Sequence, residues 1–469
     1  MPVPPESSSR RKPTARTALA VGLGVGLGAA LLAAAIKLIK ADRKRRAPLQ
    51  SDLWNSSLDS DGKLVGWQQL LEKIRMRGVE PRLKPSAWPF LLGLYSVSGT
   101  AADRALQYKH LADMYSELLR QCEKLDSNLR ETGGADRAML PSEMEPPDDE
   151  SARASSSRST IMQFEEAQRI IVLDVVRTEM GPLFRMEESV RSPDGAFDDQ
   201  GADPGSSDRD DSPYVWSGQL AREAAANWKL SGSPENVARA KRIGRRLVSI
   251  LSAYAVHDPE VGYCQGMSDL AAPFVVVLQD DVEAFWCFEC FMRTVRRNFC
   301  TSGEGMRGQL KALAFALQQR DPVLMHKLRQ VGAAECLFAY RMALVCMRRE
   351  LSLSNCLLLW EMLWADELQQ SCVASEAKRS AGQRAHSSNG DLSGNIGHSP
   401  GGDRSAVVPD LFTCFMVDVI RCQRRPILDG SQSADDVMRV FSSYHISLWS
   451  SMREARRLRA SISNRLREA

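Results

Sequence analysis

Apolar residues recur at helical spacing along most of this 469-residue chain, and hardly any segment alternates apolar and polar residues as a half-buried β-strand does. In residues 234–255, for example, Val237, Ile243, Leu247 and Leu251 fall on one side of a helix. The sequence therefore predicts an all-α body. The predicted helical segments include residues 108–125, 234–255, 282–297, 308–320, 322–331, 336–349, 355–364, 410–424 and 434–459.

Residues 261–274 combine a tight, glycine-rich bend with a mainly apolar run. Gly262 and Gly266 flank Tyr263 and Gln265, and glycine permits positive φ or close approach of another backbone. We predict a short polar hairpin that opens into a buried helix, with the Gln265 amide presented on a fixed platform. The alternative is an ordinary turn at a helix start whose glutamine has no special role.

The first 64 residues differ in composition from the rest of the chain. A basic tail (1–16) precedes twenty uncharged residues (17–36), and a basic and polar linker (37–64) follows. Twenty apolar residues can cross a hydrocarbon core of about 30 Å. We therefore predict a transmembrane signal-anchor that keeps the rest of the chain in the cytosol, on an organelle outer membrane or an endomembrane.

Two other interpretations of the first 46 residues stay open. They are a cleaved signal peptide, which the charged end of the apolar run disfavours, and an organelle transit peptide. The apolar run also contains overlapping G-x-x-x-G pairs, which predict a possible homodimer through the anchor. These pairs are Gly22 with Gly26 and Gly24 with Gly28.

Three segments rich in small, polar or acidic residues interrupt the helical pattern. They are residues 126–160, 187–213 and 368–409, and their composition predicts long disordered insertions. The pattern ends with a basic C-terminal helix end at residues 451–469. The predicted folded domain therefore spans residues 65–450.

Charge and cysteine usage exclude several classes of function. A net charge of only +3 gives no indication of nucleic-acid binding, and the chain contains no P-loop. The eleven cysteines lie mostly in apolar runs, which is typical of a reducing compartment. Cys287 and Cys290 form a C-x-x-C pair, but no second pair stands at zinc spacing, so we predict no metal and no cofactor. The basic side of residues 234–255 is predicted to be a solvated helix face; the alternative is a surface that meets an acidic partner or phosphate.

Several runs together resemble the TBC domain, the helical domain of Rab GTPase-activating proteins. The resemblance covers roughly residues 65–450. It is specific because an I-x-x-D-x-x-R run and a Y-x-Q run occur together with their flanks in the family's order. The runs are residues 83–93, 171–178, 246–254, 262–267, 284–288, 349–350 and 358–361.

The resemblance implies a two-lobed helical domain and a site built from both motifs. Arg177 would be an arginine finger and Gln265 a glutamine finger, both inserted into the GTPase. A guanidinium neutralises charge on the phosphoryl oxygens, and an amide orients the attacking water. Asp174, one helical turn before Arg177, would hold the guanidinium or backbone of that arginine, and Tyr263 would support the glutamine loop.

The function implied is activation of a Rab-family GTPase in its GTP state, and hence regulation of vesicle trafficking and intracellular protein transport. The chain would not be an enzyme by itself, since GTP and Mg²⁺ belong to the bound GTPase. The alternative is a non-catalytic, membrane-anchored scaffold that binds a Rab or another membrane protein. Lys84, Met342 and Met347 depart from the family pattern, which usually has an arginine at the first position and often aromatics at the other two.

Overall fold

Helices dominate the structure, as the periodicity predicts. The computed structural model describes residues 47–132, 149–191, 218, 232–300, 302–385 and 408–468. Within these ranges the only β-structure is two isolated bridges, between Leu49 and Val79 and between Leu58 and Leu64. The all-α prediction is confirmed.

The helices up to residue 295 are α1 Ser51–Ser56, α2 Trp67–Arg77, α3 Lys84–Leu91, α4 Ala101–Thr132, α5 Asp149–Arg177, α6 Met180–Val190, α7 Pro234–His257, α8 Met267–Val277 and α9 Asp281–Val295. The later helices are α10 Glu304–Arg320, α11 Pro322–Gln330, α12 Tyr340–Leu344, α13 Leu353–Ala385, α14 Leu411–Cys422, α15 Arg424–Gly430, α16 Ala434–Val440 and α17 Leu448–Glu468. Short 3₁₀ turns occur at Pro81–Leu83, Arg296–Asn298 and Leu337–Ala339.

The helix contacts fall into two main groups. In the first, α7 packs against α4, α5 and α8, and α8 also contacts α6 and α9. In the second, α14 packs between α10 and α17. Helix α13 lies along α2 and also contacts α3 and α6. The first group surrounds α8, in which every residue except Asp269 is buried.

Side-chain caps explain where several helices begin. An aspartate or serine just before a helix can accept a hydrogen bond from an otherwise unpaired backbone N–H of the first turn. Ser233 does this for α7, Asp280 for α9, Asp321 for α11 and Asp410 for α14. Asp280 Oδ1, for instance, accepts from the Glu283 N–H at 2.8 Å.

A fully buried carboxylate ties α3 to α13. Glu361 accepts hydrogen bonds from Lys84 Nζ, from Trp88 Nε1 at 2.8 Å and from the Val79 N–H at 2.9 Å. Lys84 Nζ also donates to the Val79 carbonyl at 3.0 Å. A buried charge is tolerated only when it is paired and hydrogen-bonded, and this cluster meets both conditions.

Two predicted helices are interrupted. Residues 336–349 form the short helix α12 and then a turn in which Cys346 and Met347 have positive φ, so the segment is not one helix. Residues 434–459 are divided between α16 and α17. Helix α4 runs to Thr132, α5 begins at Asp149 and α13 runs to Ala385, so helices cover part of the predicted insertions. Helix α6 covers residues 187–190, and apart from residues 191 and 408–409 the other parts of those insertions lie outside the described residues.

The basic side of α7 is not simply solvated, contrary to the prediction. Arg239 and Arg242 both pair with Glu187, a buried residue of α6. Arg246 is buried and pairs with Asp281 through Nε at 2.6 Å. Hydrogen bonds from Arg242 and Arg239 lower the pKa of the Glu187 carboxyl although its burial opposes the charge.

The predicted membrane-anchored localisation must be corrected. Across the described ranges, no helix is long and apolar enough to cross a membrane. The longest, α4 with 32 residues and α13 with 33, carry charged side chains along their length. Residues 17–36, on which the anchor and the homodimer were predicted, lie outside the described residues.

Candidate functional site

Helix α5 ends at Arg177, whose side chain is exposed. The Thr178 hydroxyl donates to the Asp174 carbonyl at 2.9 Å and the Thr178 N–H to the Val175 carbonyl at 3.1 Å, which closes the last turn. The guanidinium of Arg177 has no hydrogen-bond or ion-pair partner among the described residues.

The loop before α8 carries Gln265. Gly262 has φ 61° and Gly266 has φ 101°, and these left-handed conformations explain why glycines stand at both positions. Tyr263 is buried between them, whereas Gln265 is exposed and has no partner within the described part of the chain. The buried Tyr263 side chain thus anchors the loop to the core, and the Gln265 amide is exposed on its surface, as the glycine bend predicts.

Asp174 connects the arginine helix to the glutamine loop. Its Oδ2 accepts a hydrogen bond from the Tyr263 hydroxyl at 2.8 Å and another from the Gly266 N–H at 3.1 Å. These two donors flank Gln265 in the sequence. The Asp174 carboxylate therefore contacts the loop, whereas the resemblance implies that it holds the guanidinium or backbone of Arg177.

Tyr263 stays protonated at neutral pH in this setting. Burial, and next the charge of Asp174, raise the pKa of the Tyr263 hydroxyl well above its ordinary value. A protonated hydroxyl can donate, and a carboxylate is a strong acceptor, so the hydrogen bond is charge-assisted. The pair is 89 residues apart in the chain.

All six predicted site residues therefore lie on two adjoining elements, the end of α5 and the loop before α8. Sequence reasoning missed two ion pairs beside them. Arg349 pairs with Asp269 in the first turn of α8, and Arg296 pairs with Asp258, from which the loop departs. Arg296 lowers the pKa of the Asp258 carboxyl, chiefly through its hydrogen bond. No short-range motif indicates either pair.

Sequence comparison places the chain among known proteins. The model of the Rab-GTPase-TBC domain family matches residues 233–375. Rab GTPase-activating protein 22 of Arabidopsis thaliana is 30% identical over 373 residues, which span 69% of this chain and 68% of that protein. This chain belongs to the TBC family of Rab GTPase-activating proteins.

Other relatives agree with the TBC assignment. GTPase-activating protein GYP7 of Yarrowia lipolytica is 31% identical over 340 residues, 72% of this chain but only 39% of that longer protein. The crystal structure of the Ypt/Rab-GAP domain of Gyp1p superposes with a TM-score of 0.52 at 13% identity, covering 88% of this chain and 98% of that domain. At this identity the likeness shows the fold alone.

The family-model match contains Gln265 but not Arg177, which precedes it. Of the departures from the TBC pattern, Lys84 forms the buried pair with Glu361, and Met342 and Met347 are buried in the core. These three residues therefore contribute to packing within this TBC domain.

The C-x-x-C cysteines lie on α9, with Cys287 in the core and Cys290 half-buried against it. Burial raises the pKa of the Cys290 thiol to about 11 and raises that of the Cys287 thiol well above its ordinary value. In the ranges that the structure covers, no group of three or more histidine, cysteine, aspartate or glutamate side chains is arranged to hold a metal ion.

Proposed function

We propose that this TBC protein accelerates GTP hydrolysis by a Rab-family GTPase, and so ends a trafficking signal, by supplying Arg177 and Gln265 to the nucleotide site of its partner. The observation that carries the proposal is the double hydrogen bond of Asp174. It joins the helix that ends in Arg177 to the loop that presents Gln265. Two exposed side chains, neither with a hydrogen-bond or ion-pair partner among the described residues, thereby lie on two elements that Asp174 joins.

The chemistry of hydrolysis accounts for both residue types. Charge spreads over the phosphoryl oxygens in the transition state, and a permanently charged, planar guanidinium can neutralise it. An amide both donates and accepts, so Gln265 can orient the attacking water. GTP and Mg²⁺ belong to the GTPase in this scheme, and the TBC protein contributes only side chains.

Arg177 has no hydrogen-bond or ion-pair partner among the described residues, and this affects the expected rate of GTP hydrolysis. Arg177 need not break an ion pair within the described residues before it enters the GTPase. An arginine finger typically contributes about 10³–10⁵ in kcat, roughly 4–7 kcal/mol of barrier. Replacement by lysine should lose most of this because an ammonium lacks the guanidinium's fork geometry.

The test is single-turnover GTP hydrolysis by a panel of GTP-loaded Rabs with the full chain. Wild type is compared with R177A, R177K and Q265A. A matched control is R425A, because Arg425 is another exposed arginine without a partner in the described structure and lies on α15, which contacts α11, α14 and α16. We expect acceleration of at least one Rab, loss of it in the R177 and Q265 variants, and full activity in R425A.

The same panel of Rabs also tests the non-catalytic alternative. A wild-type chain that binds a GTP-loaded Rab without accelerating hydrolysis by any member would contradict the proposal and support a scaffold. R177A and Q265A variants with wild-type rates would also contradict it. Thermal unfolding of each variant checks that lost activity does not reflect lost folding.

A further inference from the structure

We propose that Arg349 is a positioning residue for Gln265, acting through its ion pair with Asp269. The inference rests on the proposed function, since it assigns a task to Arg349 within the same site. Nothing in the Y-x-Q or I-x-x-D-x-x-R motifs indicates this residue. Three structural observations carry it, namely the ion pair, a strained turn beside it and the packing of that turn on the glutamine loop.

The ion pair fixes the start of α8. Arg349 Nε donates to Asp269 Oδ2 at 2.8 Å, and a terminal guanidinium nitrogen lies 2.7 Å from the same oxygen. The backbone N–H of Asp269 in turn donates to the Gly266 carbonyl at 3.1 Å. Gly266 directly follows Gln265, so a shift of Asp269 is transmitted to the residue next to the amide.

The turn that leads to Arg349 is strained. Cys346 has φ 47° and Met347 has φ 62°, although neither is glycine. The turn is held by hydrogen bonds from Trp360 Nε1 to the Cys346 carbonyl and from the Met347 N–H to the Met342 carbonyl, each at 2.9 Å. Such conformations persist where the surroundings enforce them, and they concentrate at functional sites.

The same turn packs against the glutamine loop. A Cβ atom at Gly266 would lie 3.2 Å from Cγ1 of Val345, the residue before the strained pair. The loop is therefore supported on one side by Asp174 and on another by this turn. Arg349 stands at the end of the turn and completes the connection to α8.

The exposure of the pair argues against a mainly stabilising role. The Arg349 side chain is 47% exposed and that of Asp269 is 20% exposed. Ion pairs with this much solvent contact contribute little to global stability. A small displacement of a reacting or orienting group, by contrast, can cost large factors in rate.

The primary experiment is R349M, which keeps an apolar stem and removes the charge. We expect kcat for Rab-stimulated hydrolysis to fall about tenfold with KM for the Rab unchanged, because orientation is lost while docking remains. R349K should retain part of the activity. The matched control is R341M, which removes the neighbouring pair of Arg341 with Glu350, whose Nε–Oε1 distance is 3.0 Å. Among the described residues this pair has no hydrogen bond or ion pair to the glutamine loop.

Combining R349M with other substitutions distinguishes a positioning role of Arg349 from other roles. In a Q265A protein, R349M should lower the rate no further, because Arg349 acts only through Gln265. D269N should reproduce R349M, and the R349M/D269N double variant should equal either single one. R349M activity equal to wild type, or an equal loss in the Q265A background, would overturn the proposal, the latter indicating direct contact with the GTPase.

Hydrogen exchange tests the same proposal without any GTPase. Amides of residues 263–266 should exchange faster in R349M than in wild type or R341M, and unchanged exchange overturns the proposal. A wild-type chain that accelerates no Rab contradicts the proposed function itself. The exchange result then still shows separately whether Arg349 positions the loop.

Discussion

Removing the carboxylate of Asp174 should loosen the glutamine loop by a predictable amount. Asp174 is 7% exposed, and one of its oxygens, Oδ2, accepts both hydrogen bonds from the loop. In D174A, the Tyr263 hydroxyl and the Gly266 N–H each lose their acceptor. A buried group left unpaired costs about 1–3 kcal/mol, so we expect a loss of about 2–6 kcal/mol in unfolding free energy.

The asparagine variant sharpens this prediction. Because both bonds go to one oxygen of Asp174, the single carbonyl oxygen of an asparagine can replace it and accept from Tyr263 and Gly266 together. D174N then loses only the charge assistance, about 1 kcal/mol. The expected order of stability is wild type, D174N and then D174A.

Two assays measure the effect. Thermal unfolding reports the global loss, and hydrogen exchange at the Gly266 amide reports the local one. Loss of the Gly266 bond, about 1–3 kcal/mol, corresponds to exchange roughly 5- to 150-fold faster in D174A. Exchange at Gly266 equal to wild type in D174A, or D174N as damaging as D174A, would refute the assignment of Asp174 as the connection.

Three further predictions concern packing and pH. E361A should lower the unfolding free energy by about 3–5 kcal/mol, since it leaves the buried Lys84 unpaired. The control E367A, at an exposed position of the same helix, should change the unfolding free energy by less than about 0.5 kcal/mol. Equal melting temperatures of the two variants would contradict this. G266A should unfold at lower temperature than G262A, because both have positive φ but only at Gly266 would a Cβ also crowd Val345. Burial raises the pKa of several tyrosine hydroxyls in the folded state. Their contribution to the unfolding free energy should therefore be fully present below their unfolded pKa of about 10 and should fall as the pH rises above it. Melting scans from pH 8 to 11 would show this fall. These tyrosines are Tyr95, Tyr115, Tyr254, Tyr263 and Tyr444.

Structural features that depend only on residues close together in the sequence could be predicted. The apolar spacing in residues 234–255 becomes α7, and the run after Gln265 becomes the buried helix α8. The glycines at 262 and 266 do adopt left-handed conformations. Each of these outcomes depends on periodicity or on the conformational range of one residue type, both of which are local properties.

The partners of the site residues could not be predicted in the same way. Asp174 stands one helical turn before Arg177, which favours a local pair, yet its side chain bonds to residues 89 and 92 positions later. The Arg349 bond to Asp269 spans 80 positions. Such pairs are set by how helices pack, and one sequence contains no spacing that specifies them.

The predicted helix at residues 336–349 was wrong for another reason, which concerns the turn after α12. Apolar residues continue at helical spacing through residues 336–349, so the pattern predicts a helix there. The chain instead turns at Cys346 and Met347, two residue types that rarely adopt positive φ. Tertiary hydrogen bonds, including the one from Trp360, enforce this turn, and they have no local signature.

The Glu361 cluster has a consequence for how the chain folds during synthesis. Lys84 and its carboxylate partner are 277 residues apart. At about 5–20 residues per second, a ribosome needs roughly 15–55 s to reach Glu361 after it has made Lys84. During that interval Trp88 lacks the Glu361 carboxylate that accepts its indole N–H and the Trp364 ring that packs against it. The N-terminal helices of this domain should therefore depend on chaperones until α13 has left the ribosome, and pulse-labelled nascent chains that end before residue 385 should be protease-sensitive near α3.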